Sequence, residues 1–280
     1  MSWRNAVPVL LLSFATPAMA AEGYVLGGGL ERDSEGSLGV AALGELGVTA
    51  KTWLSATLAS NSVELSERAD LETVYADLGI DHWLEPIGLR AAVAYWGDDD
   101  TLDSMDWRAS LYWRSDKPYL SVDFEYRDFS FQLPASGQFS GRELGFDASG
   151  LGIAASFDVT DDVSLGLAGM DYDYSVNLGT DRNRSILQLA SFSRLSLINS
   201  LVDYRVFATL GVAAGERRWQ FDVGSWKGEV DGATTRSATV RFLTPLGERH
   251  DIEFALGIDD SELYGDASFL SVFLYFYGGS

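Results

Sequence analysis

Period-two alternation of apolar and polar residues predicts an all-β protein, a single antiparallel up-and-down transmembrane β-barrel of about fourteen strands, with twelve or sixteen as the alternatives. Three observations carry this. Apolar and polar side chains alternate through segment after segment, short and long connections alternate between segments, and most segments reach the roughly 9 to 11 residues that a membrane-crossing strand needs. Ordinary strands average nearer 5 to 6 residues. A mean hydropathy near zero fits as well, because lipid-facing and lumen-facing residues cancel in any average.

Taken from the start, Arg4 precedes a mostly apolar run from Ala6 to Ala15, and Thr16-Pro17-Ala18-Met19-Ala20 leads into Ala21-Glu22-Gly23. This pattern reads as a secretory signal peptide over 1–20, cleaved after Ala20, with the barrel domain over 21–280. The run is too short for a spanning helix, which takes about 20 apolar residues. Cleavage removes Arg4 and no acid, so the formal charge of -21 becomes -22. Such an acidic chain is a poor partner for nucleic acid, which demands clustered Lys and Arg. With no cysteine, disulfides and thiolate chemistry are excluded.

The first strand holds Gly27-Gly28-Gly29, which is no nucleotide loop because no helix follows; small residues there ease the approach of interior side chains. Val74, Ala76, Leu78 and Ile80 then alternate with Thr73, Tyr75, Asp77, Gly79 and Asp81. After Glu85-Pro86, Ile87, Leu89, Ala91, Val93 and Tyr95 face away from Arg90 and Trp96. Trp107, Ala109, Leu111 and Trp113 oppose Asp106, Arg108, Ser110, Tyr112 and Arg114. Past the turn Ser115-Asp116-Lys117-Pro118, Leu120, Val122, Phe124 and Tyr126 oppose Ser121, Asp123, Glu125 and Arg127, which makes a hairpin.

Two segments break the rule. Leu144, Phe146 and Ala148 share one parity and Leu151, Ile153, Ala155 and Phe157 the other; likewise Val163, Leu165 and Leu167 give way to Met170, Tyr172 and Tyr174. Paired β-bulges near Ser149-Gly150 and Ala168-Gly169 would supply such switches. A strand is expected over 184–198, followed by one with Tyr204, Val206, Ala208, Leu210, Val212 and Ala214 opposite Arg205, Thr209 and Gly211. Ile252, Phe254, Leu256 and Ile258 oppose Asp251, Glu253, Gly257 and Asp259.

Short turns are expected near 48–51, 84–87, 115–118, 159–162, 198–202 and 245–249. Longer polar connections are expected near 32–36, 64–69, 98–104, 132–142, 177–183, 222–232 and 260–265. Alternation alone also suits a secreted β-sandwich or soluble barrel, which would bury the apolar faces. Strand length and end aromatics favour the membrane.

The chain closes on Ser268-Phe269-Leu270-Ser271-Val272-Phe273-Leu274-Tyr275-Phe276-Tyr277-Gly278, an aromatic-rich strand at the end of an acidic protein. In this it resembles Gram-negative outer-membrane β-barrel proteins, whose last strand zips against the first and whose lipid-facing side chains join an aromatic belt. The resemblance implies residence in the cell outer membrane, with short turns periplasmic and long loops outside. It implies contact with the lipid bilayer and lipopolysaccharide, and with the barrel-assembly machinery during biogenesis. Leu270, Val272, Leu274 and Phe276 would face lipid, and Phe273, Tyr275 and Tyr277 would turn inward.

The parity of each strand marks Asp77, Asp81, Arg90, Arg108, Arg114, Asp123, Glu125, Arg127, Arg205, Arg241, Asp251 and Glu253 as lumen-facing charges. Carboxylates at i, i+2, such as Asp123/Glu125, Asp171/Asp173 and Asp251/Glu253, share a strand face as a hydrolytic pair would, but a lattice of ion pairs with the arginines explains them more simply. His82 and His250 adjoin short turns, away from the outer rim where barrel hydrolases work, so they read as interfacial polar residues. The loop Asp98-Asp99-Asp100 with Asp103 lacks a calcium-loop pattern. No cofactor or metal is implied. The expected function is porin-like passage of small solutes or ions. A non-conducting barrel with a surface, structural or secretion role is the alternative, and an outer-membrane hydrolase comes last.

Overall fold

The computed structural model describes residues 23–63, 71–98, 102–115, 118–133, 142–175, 201–230, 232–263 and 265–279. The signal-peptide segment 1–20 and the strand expected over 184–198 lie outside the described residues.

Fourteen strands follow one another: β1 Gly23–Asp33, β2 Leu38–Thr49, β3 Thr52–Val63, β4 Leu71–Trp83, β5 Ile87–Gly97, β6 Leu102–Arg114 and β7 Pro118–Leu133, then β8 Arg142–Asp158, β9 Val163–Tyr174, β10 Val202–Ala214, β11 Arg217–Gly228, β12 Thr234–Gly247, β13 His250–Ser261 and β14 Gly265–Gly278. Each pairs antiparallel with its sequence neighbours, and β14 closes on β1 from Tyr24↔Gly278 to Asp33↔Phe269. Closure removes both free sheet edges, so every strand has two partners.

The outer face is apolar and uncovered. Ile153 is 68% exposed and Leu167 67%, and Leu26, Leu78, Leu111, Leu256 and Leu270 stand on the same outer surface. A soluble sandwich would bury such residues. A barrel that displays them is solvated by lipid. On β14, Leu270, Val272, Leu274 and Phe276 point outward, and Phe273, Tyr275 and Tyr277 point inward. Outward aromatics such as Trp107, Trp113, Phe157, Trp219 and Phe276 lie toward the ends of the lipid-facing stretches, where amphipathic rings favour the interface.

Two expectations are corrected. The stretch read as one strand from 202 followed by a long loop over 222–232 is a hairpin: β10 and β11 join through Gly215-Glu216, with Gly215 at φ 65, and the longer connection spans only 229–233. Val202 therefore sits at the long-connection end of the barrel, whereas a short turn over 198–202 would put it at the other. The second correction concerns the bulges. β8 pairs in unbroken register with both β7 and β9, and β9 does so with β10. Register shifts fall instead at Gly47/Thr49, Val202/Tyr204 and Pro245/Gly247.

What inverts is polarity, not register. Toward the short turns, Leu120, Val122 and Phe124 of β7 face out and Ser121, Asp123 and Glu125 face in; beyond Tyr126, Asp128 and Ser130 face out and Phe129 and Phe131 face in. β8 changes in the same way, from Leu151 outside to Phe146 and Ala148 inside, and β9 from Leu167 outside to Tyr172 inside with Asp171 and Asp173 outside. Tyr126, Ser149 and Asp173 are cross-strand neighbours, so three strands invert at one level. Below that level the outside is lipid and the inside polar. Above it the outside is water and the inside is a dry apolar cluster.

That cluster holds Trp96, Leu102, Phe129, Phe131, Phe146, Ala148, Leu201 and Val230, all buried. Phe129 and Phe146 stack at 4.8 Å between centroids. A second group, Tyr172, Val202 and Trp226, adjoins it, with Met170, Tyr174 and Phe207 packed on its flank.

Candidate pore lining

Strand parity puts alternate residues of every strand on the inner surface, and side chains there meet partners on the neighbouring strand and up to three strands away. Arg90 of β5 donates from Nε and Nη2 to Asp81 of β4 at 3.0 and 2.7 Å, and the Tyr112 hydroxyl of β6 donates to the same carboxylate at 2.5 Å. Arg108 is ion-paired with Asp77 across β5 and reaches the Tyr75 hydroxyl at 3.3 Å. Asp123 accepts from the Ser110 and Ser121 hydroxyls at 2.5 and 2.8 Å.

Higher in the barrel the pairs are buried, apart from Arg205, whose side chain keeps 21% of its surface exposed at the chamber edge. The Arg127 side chain is 1% exposed, with its Nε 3.2 Å from Asp106 and 3.6 Å from Glu125. Glu125 also accepts from Tyr172 at 2.8 Å and from Arg205 of β10 at 3.0 Å. Two arginines against two carboxylates make a neutral quartet, and a neutral quartet with most lone pairs satisfied is the form in which buried charge is tolerated. The Arg127 guanidinium lies 4.8 Å from the Phe129 ring centroid, and Arg205 lies 5.5 Å from that of Tyr172, so aromatic faces complete the shell.

Toward the short turns the lumen is wet. The Arg90 side chain is 52% exposed and Arg241 45%, the latter 3.2 Å from Asp222, which the Thr209 hydroxyl also reaches at 2.7 Å. A chamber of about 270 Å³ opens among Arg90, Arg108, Ser110, Asp123, Arg205 and Phe207. Asp251 accepts from the Tyr277 hydroxyl at 3.0 Å, and Glu253 lies on the inner face opposite Phe273. Arg114 lies inward at the short-turn end of β6, opposite Tyr119.

All twelve charges singled out from the sequence thus sit on the inner face, joined by partners the sequence did not single out: Asp106, Asp222, Tyr112 and Tyr172. Asp106 carried a legible signal, since it shares parity with Arg108 and Arg114. Asp222 did not, because its strand was read as a loop. Asp171 and Asp173 face outward. His82 donates to or accepts from Thr52 at 2.9 Å and His250 sits edge-on to Phe276 at 5.1 Å, both on the outer face at the short-turn rim. Among the described residues no cluster of three or more metal-ligating side chains occurs. Asp99 and Asp100 lie outside the described residues.

The charge is unevenly spread. On β13, β14, β1, β2 and β3 the inner face carries Glu31, Asp33, Glu45, Asp251, Glu253 and Asp259, and among the described residues no lysine or arginine. The inward arginines Arg90, Arg108, Arg114, Arg127, Arg205, Arg218 and Arg241 belong to β5, β6, β7, β10, β11 and β12.

No family model matches the chain, and no curated protein matches it in sequence. Among solved structures it is similar to a loop-deletion mutant of OmpT, an outer-membrane protein of Vibrio cholerae, with TM-score 0.52, 7% identity, and coverage of 92% of this chain and 99% of that one. OccAB1 of Acinetobacter baumannii gives TM-score 0.48 at 11% identity, covering 92% and 96%, and the KdgM porin 0.45 at 10%, covering 90% and 98%. At such identities likeness is one of fold. Closed antiparallel sheet, apolar outer belt and polar lumen together define a transmembrane β-barrel, the fold of the outer-membrane protein of Vibrio cholerae, and this chain has that fold.

Proposed function

We propose that the barrel is a porin-like channel for small polar solutes and ions, with a preference for cations. The supporting observation is the contrast inside the barrel: Arg127, Asp106 and Phe129 are 2% exposed or less, while Arg90 and Arg241 keep about half their side chains in contact with solvent. Water therefore fills the lumen toward the short turns, where Glu45 is exposed and Asp251 and Glu253 are half-buried, and is excluded near the long connections, where Asp259, Ser261 and Asn61 are buried as well. Glu45, Asp251 and Glu253, on the wall without inward arginines among the described residues, attract cations into that space. With the long connections outside and the short turns in the periplasm, lipopolysaccharide surrounds the level at which polarity inverts, and residues 1–20 act as the export signal.

Purified protein in planar bilayers under a KCl gradient tests this. Discrete conductance steps and a reversal potential toward that of potassium are expected; silence at every voltage overturns the reading. The dry quartet and aromatic cluster favour one second reading, a non-conducting barrel with a structural or surface role, and it predicts that silence together with retained heat-modifiable migration on gels. A hydrolase finds no such support, since Asp123 and Glu125 are both saturated by structural partners.

A further inference from the structure

Inward aromatic rings come in two kinds. In the buried cluster, Trp96 opposes Tyr75 and Ser104, and Phe129 opposes Ser104 and Phe146; their rings project inward and fill the space. Elsewhere the ring has a glycine directly across the strand pair: Phe269 faces Gly257, Phe273 faces Gly29, and Phe207 faces Gly224. Tyr112 and Trp53 repeat the device over Gly88 and Gly47. The seats are occupied. A Cβ on Gly224 would stand 2.6 Å from Cδ1 of Phe207, and one on Gly257 would fall within the Phe269 ring. A ring lying over a glycine takes the volume that a side chain would have filled and stays against the wall.

We infer that these glycines are positioning residues that hold the aromatic rings flat and so set the free bore of the lumen. This rests on the channel reading and assigns the determinants of its size limit. At Gly224 the consequence is local, because Phe207 lines the 270 Å³ chamber. A methyl group at 224 leaves the ring one direction to move, into that chamber. Gly166 is the internal control: it lies on the inner face with no ring over it, and a Cβ there would meet its nearest neighbour at 3.5 Å.

The absence of cysteine makes a direct measurement straightforward. In an Ala92→Cys background, which places one thiol on the chamber wall, labelling by maleimides of increasing size is compared with and without Gly224→Ala, alongside single-channel conductance. Gly224→Ala should slow labelling by the larger reagents and lower conductance. Adding Phe207→Leu should restore both, and Gly166→Ala should change neither. Gly257→Ala with Phe269→Leu repeats the conductance test on the opposite wall. Unchanged labelling in Gly224→Ala overturns the inference whether or not the wild type conducts. Slowed labelling that Phe207→Leu rescues, in a wild type that does not conduct, sustains the seats and removes the channel.

Discussion

At the residue scale the most constrained group is Arg127. Its guanidinium lies between two carboxylates and over an aromatic face, out of contact with solvent. Replacing it with leucine leaves Asp106 without its cation in a dry interior, while Glu125 keeps Arg205 and Tyr172, a change that costs about 3–5 kcal/mol. Arg127→Leu should therefore lower the urea midpoint of the barrel in lipid vesicles, and Asp106→Leu added to it should recover part of the loss, because one stranded charge is removed. The same substitution at Arg90 should cost far less, since its pair with Asp81 is half in water and surface pairs contribute only about 0–1 kcal/mol. Equal losses at the two sites would show that the quartet is hydrated.

At the element scale the inversion of polarity along β7, β8 and β9 locates the membrane boundary. Arginine at Ile153, in the middle of the lipid-facing run of β8, should destabilise the barrel by roughly 2–4 kcal/mol, and at Ser149 by about 0–1. Vesicle unfolding of the two variants measures the difference; similar penalties would place lipid against Ser149 and remove the boundary. The inversion also explains why sequence periodicity misled here. Alternation reports which residues are apolar, and a strand that leaves the bilayer while its interior turns dry reverses its pattern without shifting register. The hairpin β10–β11 failed for another reason: both strands keep period two up to Gly215-Glu216, so nothing in the alternation marks the turn. Length did mark it, because residues 202–221 are twice what a crossing needs. The total of fourteen was reached with that hairpin counted as one strand and a further strand expected over 184–198, which lies outside the described residues. Short turns at 48–51, 84–87, 115–118, 159–162 and 245–249 and the inward parity of each charged residue were readable, because turn chemistry and alternation are local. The dry quartet and the glycine seats were not, since each depends on which strands become neighbours.

At the scale of the whole molecule, the net charge of -21 acquires a direction: the inner faces of β13, β1 and β2 carry acids and, among the described residues, no lysine or arginine, and the arginines gather on the rest of the wall. Ions passing through a water-filled lumen sample the acidic wall wherever it borders the open space. Glu45 is the most telling position, because it is exposed, faces inward and lies on β2, whose inner face and those of its neighbours β1 and β3 carry no arginine among the described residues. Glu45→Lys should move the reversal potential in a KCl gradient toward the chloride value, and Glu253→Gln should move it the same way by less, since one charge is lost and none gained. Asp123→Asn, on the arginine-bearing wall and held by two serine hydroxyls, should move it least. Salt supplies the control. Screening shortens the reach of a charge from about 10 Å at 0.1 M to about 3 Å at 1 M, so the effect of Glu45→Lys should shrink as the bath is concentrated. An effect that persists at 1 M would mean that ions pass within touching distance of residue 45, and no effect at 0.1 M would mean that the pathway avoids the acidic wall.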